Sequence, residues 1–359
     1  MTPDAMGRSI PLVSTIFGLT YLGLAMGKVP GLRVDRAGIA LIGGVAMLAC
    51  GVLDLAAAAR AIDFGTIALL FGMMVLVAYL RLAGFFALAT ERIAERFAGP
   101  FTLLAVTIAL SGVLSAFLVN DVVCVALTPL VLDLTKRLRR PPIPYLVGLA
   151  TGSNIGSVAT ITGNPQNIII GSLSAIPYLR FAARLAPVAL IGLVLNFLIV
   201  AAVYRKPLAA SGVHKPAEPP ARPRVHHRLL VKGVAVVLAT VALFFAGKPI
   251  ALVALGAAGV LLLDRVRPAK VYAAIDWPLL VMFCGLFVVV HAFEVHVVHT
   301  WGLGRWHAVL RSPVVLVSAL SVVLSNLVSN VPAVLLFKPL MEVMPRRELA
   351  WLALAMSST

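Results

Sequence analysis

Small polar residues are concentrated within one strongly apolar stretch, TGSNIGSVATITGNPQNIIIG, at residues 151–171. Its side chains carry amide and hydroxyl groups, and no acidic or basic residue lies between Arg140 and Arg180. Neutral oxygens of this kind suit a hard cation such as sodium, and helix N-termini suit an anion. The chemistry that this stretch could support is therefore the binding of an ion or an anionic substrate.

Gly163 and Pro165 should interrupt any helix in this stretch, because glycine is too free and proline lacks an N–H group and clashes one turn back. Broken backbone at membrane depth survives only where it lines a cavity or is buried in protein. We therefore predict a helix over 144–176 that unwinds between Asn154 and Asn167 and then continues. Secondary transporters hold their substrates at such breaks. A loop outside the membrane is the alternative.

Polar residues also interrupt two other apolar stretches, 101–135 and 312–344. The first contains Asn120 and Asp121. A carboxylate within a membrane is costly unless it faces water or a cation, so Asp121 is a functional candidate, although it could also cap the helix that follows. The second stretch has Ser329 and Asn330 at the corresponding place, with no acid.

The sequence contains no carboxylate pair, nucleophile with a base, Gly-Lys-Ser phosphate loop or Cys/His metal spacing. We therefore predict that the protein is not an enzyme and that it holds no cofactor and no metal beyond a possible sodium ion. The three cysteines are scattered through apolar segments and predict no disulfide framework: Cys50, Cys124 and Cys284.

One apolar helix ends in a cluster of His291, Glu294, His296 and His299. These residues could form a proton relay or a metal site, but the polar end of an interfacial helix explains them equally. Lys338 and Arg81 lie within apolar spans, and the sequence leaves open whether either pairs with Glu294 or Asp121. Asp63 and Asp276 are interpreted as caps at helix starts.

The elements that must position these residues are membrane helices. Of 359 residues, 61% are apolar and only 12% are charged, with a mean hydropathy of +1.02, whereas soluble domains carry about 25% charged residues. Apolar runs of about 20 residues predict helices rather than alternating β-barrel strands. The net charge of +16 lies in short clusters between the runs, so we predict a lipid bilayer and no nucleic acid as its partner. The first run should be a retained helix, not a cleaved signal peptide.

The stretches 101–135 and 312–344 are too long for one crossing, and each of their halves is short for a spanning helix. We predict two re-entrant hairpins, with two short helices joined by a tight turn as the alternative. Re-entrant hairpins place most Lys and Arg residues on one side, which should be cytoplasmic. The protein is then a multi-pass protein of a bacterial-type inner membrane with its N-terminus outside.

Residues 205–228, RKPLAASGVHKPAEPPARPRVHHR, form a Pro-rich basic linker that should be cytoplasmic and cannot pack a core. It joins an N-terminal membrane half, 1–204, to a C-terminal half, 229–359. The halves contain matching motifs at nearly constant spacing: Ile62-Asp63-Phe64 with Ile275-Asp276-Trp277, then Ser115, Asn120 and Pro129 with Ser325, Asn330 and Pro339. We predict an all-α polytopic fold with an inverted-topology repeat, two re-entrant hairpins and a broken transmembrane helix.

The C-terminal half ends in LALAMSST, opposite the LATGSN with which the first broken helix approaches its break. A second broken helix thus begins but lacks its break. We expect the C-terminal half to be incomplete, with this chain either a fragment or the product of a shortened gene.

Three segments resemble the ion transporter superfamily, which contains arsenite-efflux permeases, sodium–proton antiporters, and citrate and dicarboxylate carriers: SAFLVNDVVCVALTP, GSNIGSVATITGNPQNIIIG and SNLVSNVPAVLLF. The resemblance covers nearly the whole chain and implies a homodimer with an elevator-like motion. It also implies that the hairpin tips and broken helix bind substrate and coupling ion, which places there Asn120, Asn154, Thr162, Gly163, Asn164, Pro165, Asn167 and Asn330. The residue chemistry above adds Asp121, Ser153 and Ser329.

The sequence therefore favours a secondary active transporter for a small anionic substrate, coupled to sodium or protons and working by alternating access. One alternative is a cation–proton antiporter that uses Asp121. The arsenite and sodium–proton branches have the order Asp-Asn at the first tip, whereas this chain has Asn120-Asp121, which argues against those substrates. Another alternative is a membrane partner or remnant that does not transport.

Overall fold

The computed structural model describes residues 3–27, 33–97, 99–210, 225–264, 266–301, 313–342, 344 and 346–359. Most of the predicted linker, residues 211–224, lies outside the described residues. Its two ends are described: residues Arg205–Ala210 form a short helix, and the next helix begins at His227.

The described residues form only helices and their connections, with no strand among them. In chain order the helices are α1 (Pro3–Met26), α2 (Arg36–Ala49), α3 (Leu55–Ala61), α4 (Phe64–Ala83), α5 (Phe85–Arg96), α6 (Pro100–Phe117), α7 (Asn120–Arg137), α8 (Pro142–Ser157), α9 (Pro165–Ser174), α10 (Tyr178–Val203), α11 (Arg205–Ala210), α12 (His227–Phe245), α13 (Ile250–Leu262), α14 (Pro268–Tyr272), α15 (Trp277–His296), the 3-10 turn Val298–Trp301, α16 (Pro313–Val328), α17 (Asn330–Glu342) and α18 (Arg347–Ser357).

Among the described residues, five helices are long and apolar enough to cross a membrane: α4, α6, α10, α12 and α15. The predicted all-α polytopic membrane fold, with its helical hairpins and broken helix, is confirmed. The first hairpin is α6 and α7, and the second is α16 and α17. α16 ends at Val328 and α17 begins at Asn330, so the second break is confined to Ser329.

Contacts divide the chain into two compact units. The first contains α1–α3 together with α15–α18, over Met1–Ile67, Ser172–Ala175 and Asp276–Thr359. Within it, α15 packs on α2 so closely that a Cβ atom at Gly285 would overlap the backbone of Ala40. Phe17 of α1 stacks on Phe293 of α15, with ring centroids 3.8 Å apart.

The second unit covers Ala68–Gly171 and Ile176–Ile275 and so contains α5–α8, α10–α14 and most of α4 and α9. Its centre is the crossing of α6 and α8, where a Cβ atom at Gly156 would overlap the backbone of Gly112. Gly72 of α4 likewise leaves no room for a Cβ atom against the backbone of Ala254 in α13.

The helix bounds follow the predicted repeat. α4 begins at Phe64 and α15 begins at Trp277, 213 residues later, and both helices have 20 residues. Their predicted caps are confirmed, since Asp63 accepts from the Thr66 N–H and Asp276 accepts from the Leu279 N–H. Each unit nevertheless contains helices from both sides of the linker, so compactness and the repeat divide the chain differently.

Candidate functional site

The break in the polar stretch is shorter than predicted. α8 continues through Ser157 and α9 begins at Pro165, so only residues 158–164 are unwound, not the whole of Asn154–Asn167. The reason lies at the start of α9. Proline is suited to the first turn of a helix because its missing N–H is not needed there, and Asn164 caps the helix by accepting the Asn167 N–H at 2.8 Å.

The unwound backbone is buried and is hydrogen-bonded by one side chain. Asn167 is fully buried, and its Nδ2 donates to the carbonyls of Ser157, Val158 and Thr160 at 3.3, 3.5 and 3.1 Å. A break leaves carbonyl groups without the N–H partners that a continuous helix would supply, and these three carbonyls receive the Asn167 amide as donor instead. Asn164 Nδ2 donates to Ser157 Oγ at 2.9 Å. The segment is thus packed inside the protein.

The tip of the first hairpin docks on this break. The Asn120 N–H donates to the Gly163 carbonyl at 2.9 Å, and Asn120 Nδ2 donates to Asn154 Oδ1 at 3.4 Å. Ser153 Oγ donates to the Asn120 carbonyl at 3.1 Å and is 2.6 Å from Ser115 Oγ. A side chain at Gly163 would overlap the Ser157 carbonyl, so glycine is required where the unwound segment passes the end of α8.

These contacts define one group of side chains, here called the polar cluster: Ser115, Asn120, Ser153, Asn154, Ser157, Thr160, Thr162, Asn164 and Asn167. Apart from Asn154 its members are all buried. Two helices begin at the cluster, α7 at Asn120 and α9 at Pro165. The positive ends of both helix dipoles therefore lie at it.

Two acceptor oxygens in the cluster are buried and have no hydrogen-bond partner among the described residues: Asn120 Oδ1 and Asn167 Oδ1. For Asn167 the amide orientation follows from the network, since three carbonyls surround its NH₂ group and its Oδ1 must point away from them. An unpaired buried acceptor costs about 1–3 kcal/mol. The cluster therefore has acceptor oxygens suited to a cation.

Asp121 differs from its neighbour. Asn120 is buried, whereas Asp121 is exposed in the first turn of α7. The residue at the cap position of α7 is Val119, which makes no side-chain cap. The interpretation of Asp121 as the cap is therefore wrong, although a carboxylate in the first turn still interacts favourably with the helix dipole.

The second hairpin tip belongs to the first unit. Ser329 adopts a left-handed backbone conformation with φ 81°, and Asn330 begins α17. The Pro332 carbonyl in the first turn of α17 accepts from the Tyr21 hydroxyl at 3.1 Å. Of the predicted site residues, Ser329 and Asn330 thus belong to this unit, and the others belong to the second unit.

The sequence did not identify as site residues some members of the hydrogen-bond network around the polar cluster. Ser115 served only as a marker of the repeat, yet it bonds Ser153. The Thr160 hydroxyl bonds the Ala116 carbonyl, and Thr162 Oγ1 lies 2.8 Å from the Tyr178 hydroxyl. A repeated serine was a usable signal for Ser115, whereas the contact with Tyr178 depends on tertiary packing that has no sequence signal.

Lys338 of the second hairpin forms an ion pair with a glutamate of α15. Lys338 Nζ of α17 lies 2.7 Å from Glu294 Oε2 of α15, which settles the pairing that the sequence left open. No group of three metal-ligating side chains occurs among the described residues. The side chain of His299 lies outside the described residues. Each of the three cysteines is free.

Comparison with known proteins adds a family. The sequence profile of a family described as citrate transporter matches residues 21–359. The silicon efflux transporter LSI3 of Oryza sativa subsp. japonica is 36% identical over 203 residues, which are 56% of this chain but only 42% of that protein. This chain therefore spans less than half of that relative's length.

Other relatives match over more of their length. Inner membrane protein YbiR of Escherichia coli (strain K12) is 33% identical over 81% of this chain and 74% of that protein. The uncharacterized transporter Rv2685 of Mycobacterium tuberculosis (strain ATCC 25618 / H37Rv) is 31% identical over 91% of this chain and 82% of its own. Among solved structures, the Alcanivorax borkumensis YdaH transporter has a TM-score of 0.54 and 17% identity, covering 99% of this chain and 87% of its own. That likeness concerns the fold.

Proposed function

The chain belongs to the citrate transporter family of the ion transporter superfamily, and from this premise we propose that it is a secondary active transporter that moves a small anion by alternating access. Membership of the family makes it a membrane transporter and not an enzyme. The anionic substrate, a sodium ion as the coupling ion and the binding residues belong to the proposal.

The observation that carries the proposal is the polar cluster. It combines a broken, buried backbone with two amide oxygens that find no partner in the described part of the chain, those of Asn120 and Asn167. Discontinuous helices hold substrates and coupling ions in this way, with carbonyl oxygens around the cation and helix N-termini directed at the anion. The proposed site in the second unit comprises Asn120, Asp121, Ser153, Asn154, Thr162, Gly163, Asn164, Pro165 and Asn167.

An anionic substrate fits the polar cluster because the positive groups at the cluster are the N-terminal ends of helix dipoles. No Lys or Arg occurs in the sequence between Arg140 and Arg180, so the N-termini of α7 and α9, with hydroxyl donors such as Thr162, would bind the anion. The family's name makes citrate the first substrate to test. The rice relative is named a silicon efflux transporter, so a dissolved silicon compound is the second, although it need not carry a charge.

Sodium is favoured over a proton as the coupling ion because the cluster offers neutral oxygens. A proton needs a titratable carrier, and the acid among the proposed residues is Asp121, which is exposed. Ser329 and Asn330 would serve the second hairpin tip in the corresponding role. We further propose an inner-membrane location, with the 205–228 linker cytoplasmic and the N-terminus outside, and a homodimeric state.

Uptake of radiolabelled citrate into proteoliposomes with an inward sodium gradient tests the proposal. Asn120→Ala and Asn167→Ala should lower uptake about ten-fold or more, because a polar contact to a charged group contributes about 1.5–3 kcal/mol. Asn196→Ala is the matched control. Asn196 is also a buried asparagine of the second unit, and it bonds Thr151 outside the polar cluster.

The outcomes separate the candidate functions. Unchanged uptake in both cluster variants would contradict the site. Sodium-driven acidification or alkalinisation that needs no anion and is abolished by Asp121→Asn would favour a cation–proton antiporter instead. The absence of any sodium- or proton-coupled flux over a panel of carboxylates and a dissolved silicon compound would favour a partner protein that does not transport.

A further inference from the structure

A basic cavity of about 640 Å³ lies at one end of the second unit, apart from the polar cluster. It is bounded by the end of α4, the start of α12 and the segment that links α13 to α14. The His226 N–H donates to the Ala83 carbonyl at 3.2 Å and so joins the start of α12 to the end of α4. Lys232 Nζ donates to the Leu263 carbonyl at 3.3 Å and joins α12 to the end of α13.

Three cations line this cavity, Arg228, Arg267 and Lys270, and their side chains make no hydrogen bond or ion pair within the described part of the chain. The acid among the lining residues is Asp264. Its Oδ2 already accepts from the Tyr79 hydroxyl at 2.6 Å and pairs with Lys232 Nζ at 3.2 Å. The charge of Asp264 is thus compensated by Lys232, and no acid among the described residues pairs with the three lining cations.

The cavity lies at the start of α12, where the sequence changes from polar to apolar residues. α12 begins at His227, directly before Arg228, and is a candidate span with a mean hydropathy of 2.1, of which only 17% is buried. The lining also includes Leu82, Leu229 and Val266. Beside it, Leu263 is 85% exposed. An apolar span whose surface is mostly uncovered faces lipid, so its charged end lies at the level of the headgroups.

We propose that this cavity binds the phosphate headgroup of an anionic phospholipid, with Arg228, Arg267 and Lys270 holding the phosphate oxygens and the apolar lining contacting the glycerol and first methylene groups. Guanidinium groups match phosphate oxygens with paired N–H donors, and lysine adds a point charge. Basic cavities between membrane helices bind anionic lipids for this reason. A free phosphate monoester presents the same chemistry without the acyl chains.

Native mass spectrometry of the full chain in detergent, titrated with dioleoyl phosphatidylglycerol or dioleoyl phosphatidylcholine, tests the proposal. Each cation near an anionic headgroup strengthens binding about five-fold. The variant Arg228→Gln/Arg267→Gln/Lys270→Gln should therefore weaken retention of one phosphatidylglycerol on the order of 100-fold. The charge-conserving variant Arg228→Lys/Arg267→Lys should retain it within about ten-fold, because only the paired donors are lost.

The matched control is Arg92→Gln/Arg205→Gln/Lys206→Gln, which removes the same charge from exposed residues outside the cavity. Its phosphatidylglycerol retention should equal that of the unmodified chain. Equal losses in the control and cavity variants, or equal retention of phosphatidylcholine and phosphatidylglycerol, would overturn the proposal. Size-exclusion profiles and melting temperatures check that each variant is folded.

A competition arm separates lipid from free phosphate. Glycerol phosphate and inorganic phosphate at millimolar concentration should leave the bound phosphatidylglycerol in place, because neither contacts the apolar part of the cavity. Displacement of the lipid from the unmodified chain by either ion would assign the cavity to a soluble phosphate compound and overturn the lipid proposal. The ion concentration is chosen so that lipid retention by the cavity variant does not change.

Discussion

Asn164 and Asn167 show how single side chains make a helix break possible in an apolar environment. Asn164 caps the start of α9 by accepting the Asn167 N–H. The Asn167 side chain in turn donates to carbonyl groups at and after the end of α8. The Asn164 side chain uses both its donor and its acceptor, whereas the Asn167 side chain acts as a donor. The Oδ1 of Asn167 has no hydrogen-bond partner within the ranges that the structure describes, and the proposed function depends on this oxygen.

The cap at Asn164 gives a stability expectation. Asn164→Ala should lower the free energy of unfolding by about 1–2 kcal/mol, because the first turn of α9 loses its cap. Asn164→Ser keeps a capping oxygen without burying a charge and should lose less. Melting temperatures in detergent measure both changes, with Asn326→Ala, an exposed residue of α16, as control. A melting temperature for Asn164→Ala equal to that of the control would contradict the capping role.

Glu294 and Lys338 form an ion pair between α15 and the second hairpin, with side chains 12% and 29% exposed. Glu294→Gln or Lys338→Met alone should destabilise the protein by about 2–4 kcal/mol, because either change leaves a partly buried charge without its partner. The double variant should recover much of this loss. A double-mutant cycle of melting temperatures measures the coupling, and additive single effects would show that the pair contributes nothing.

At the scale of elements, close helix packing holds the polar cluster in position. α6 and α8 cross where Gly112 and Gly156 meet, and this contact places the hairpin tip beside the break. The corresponding approach of α15 to α2 in the first unit also depends on a glycine, Gly285. Small residues at such crossings let helix backbones approach closely in membranes.

Gly156→Ala tests this packing. The added methyl group would overlap the Gly112 backbone, and the resulting overpacking should cost about 1–3 kcal/mol and displace the hairpin tip. Gly259→Ala in α13 is the matched control, since its Cβ atom would meet no atom within 4 Å. The first variant should melt at a lower temperature than the control and lose transport. Equal melting temperatures would contradict the tight crossing.

The elements show which features a sequence can reveal. The hairpins, the broken helix and the caps at Asp63 and Asp276 were predictable because glycine, proline, asparagine and aspartate act locally on the backbone. The extent of the break was predicted too widely because Asn164 and Pro165 begin α9 earlier than a count of polar residues suggests. The alternative that Asp121 caps α7 was also wrong, because α7 begins one residue before it and Val119 takes the cap position.

At the scale of the whole molecule, the repeat and the compact units are two different divisions of the chain. The repeat was visible in spaced motifs, and α4 and α15 keep that spacing. The units were not predictable, because each combines helices from before and after the linker through contacts such as that of Gly72 with Ala254. Contacts between segments that are distant in sequence leave no periodic signal along the chain.

The central claim is that the unpaired amide oxygens of the polar cluster bind the coupling ion. Equilibrium binding of ²²Na⁺ to the purified full chain, measured by scintillation proximity, tests it without knowledge of the substrate. We expect saturable binding that Asn120→Ala and Asn167→Ala weaken about ten-fold or more, while Asn196→Ala leaves it unchanged. Sodium binding of equal strength in all four proteins, or no saturable binding in the unmodified chain, would contradict the claim.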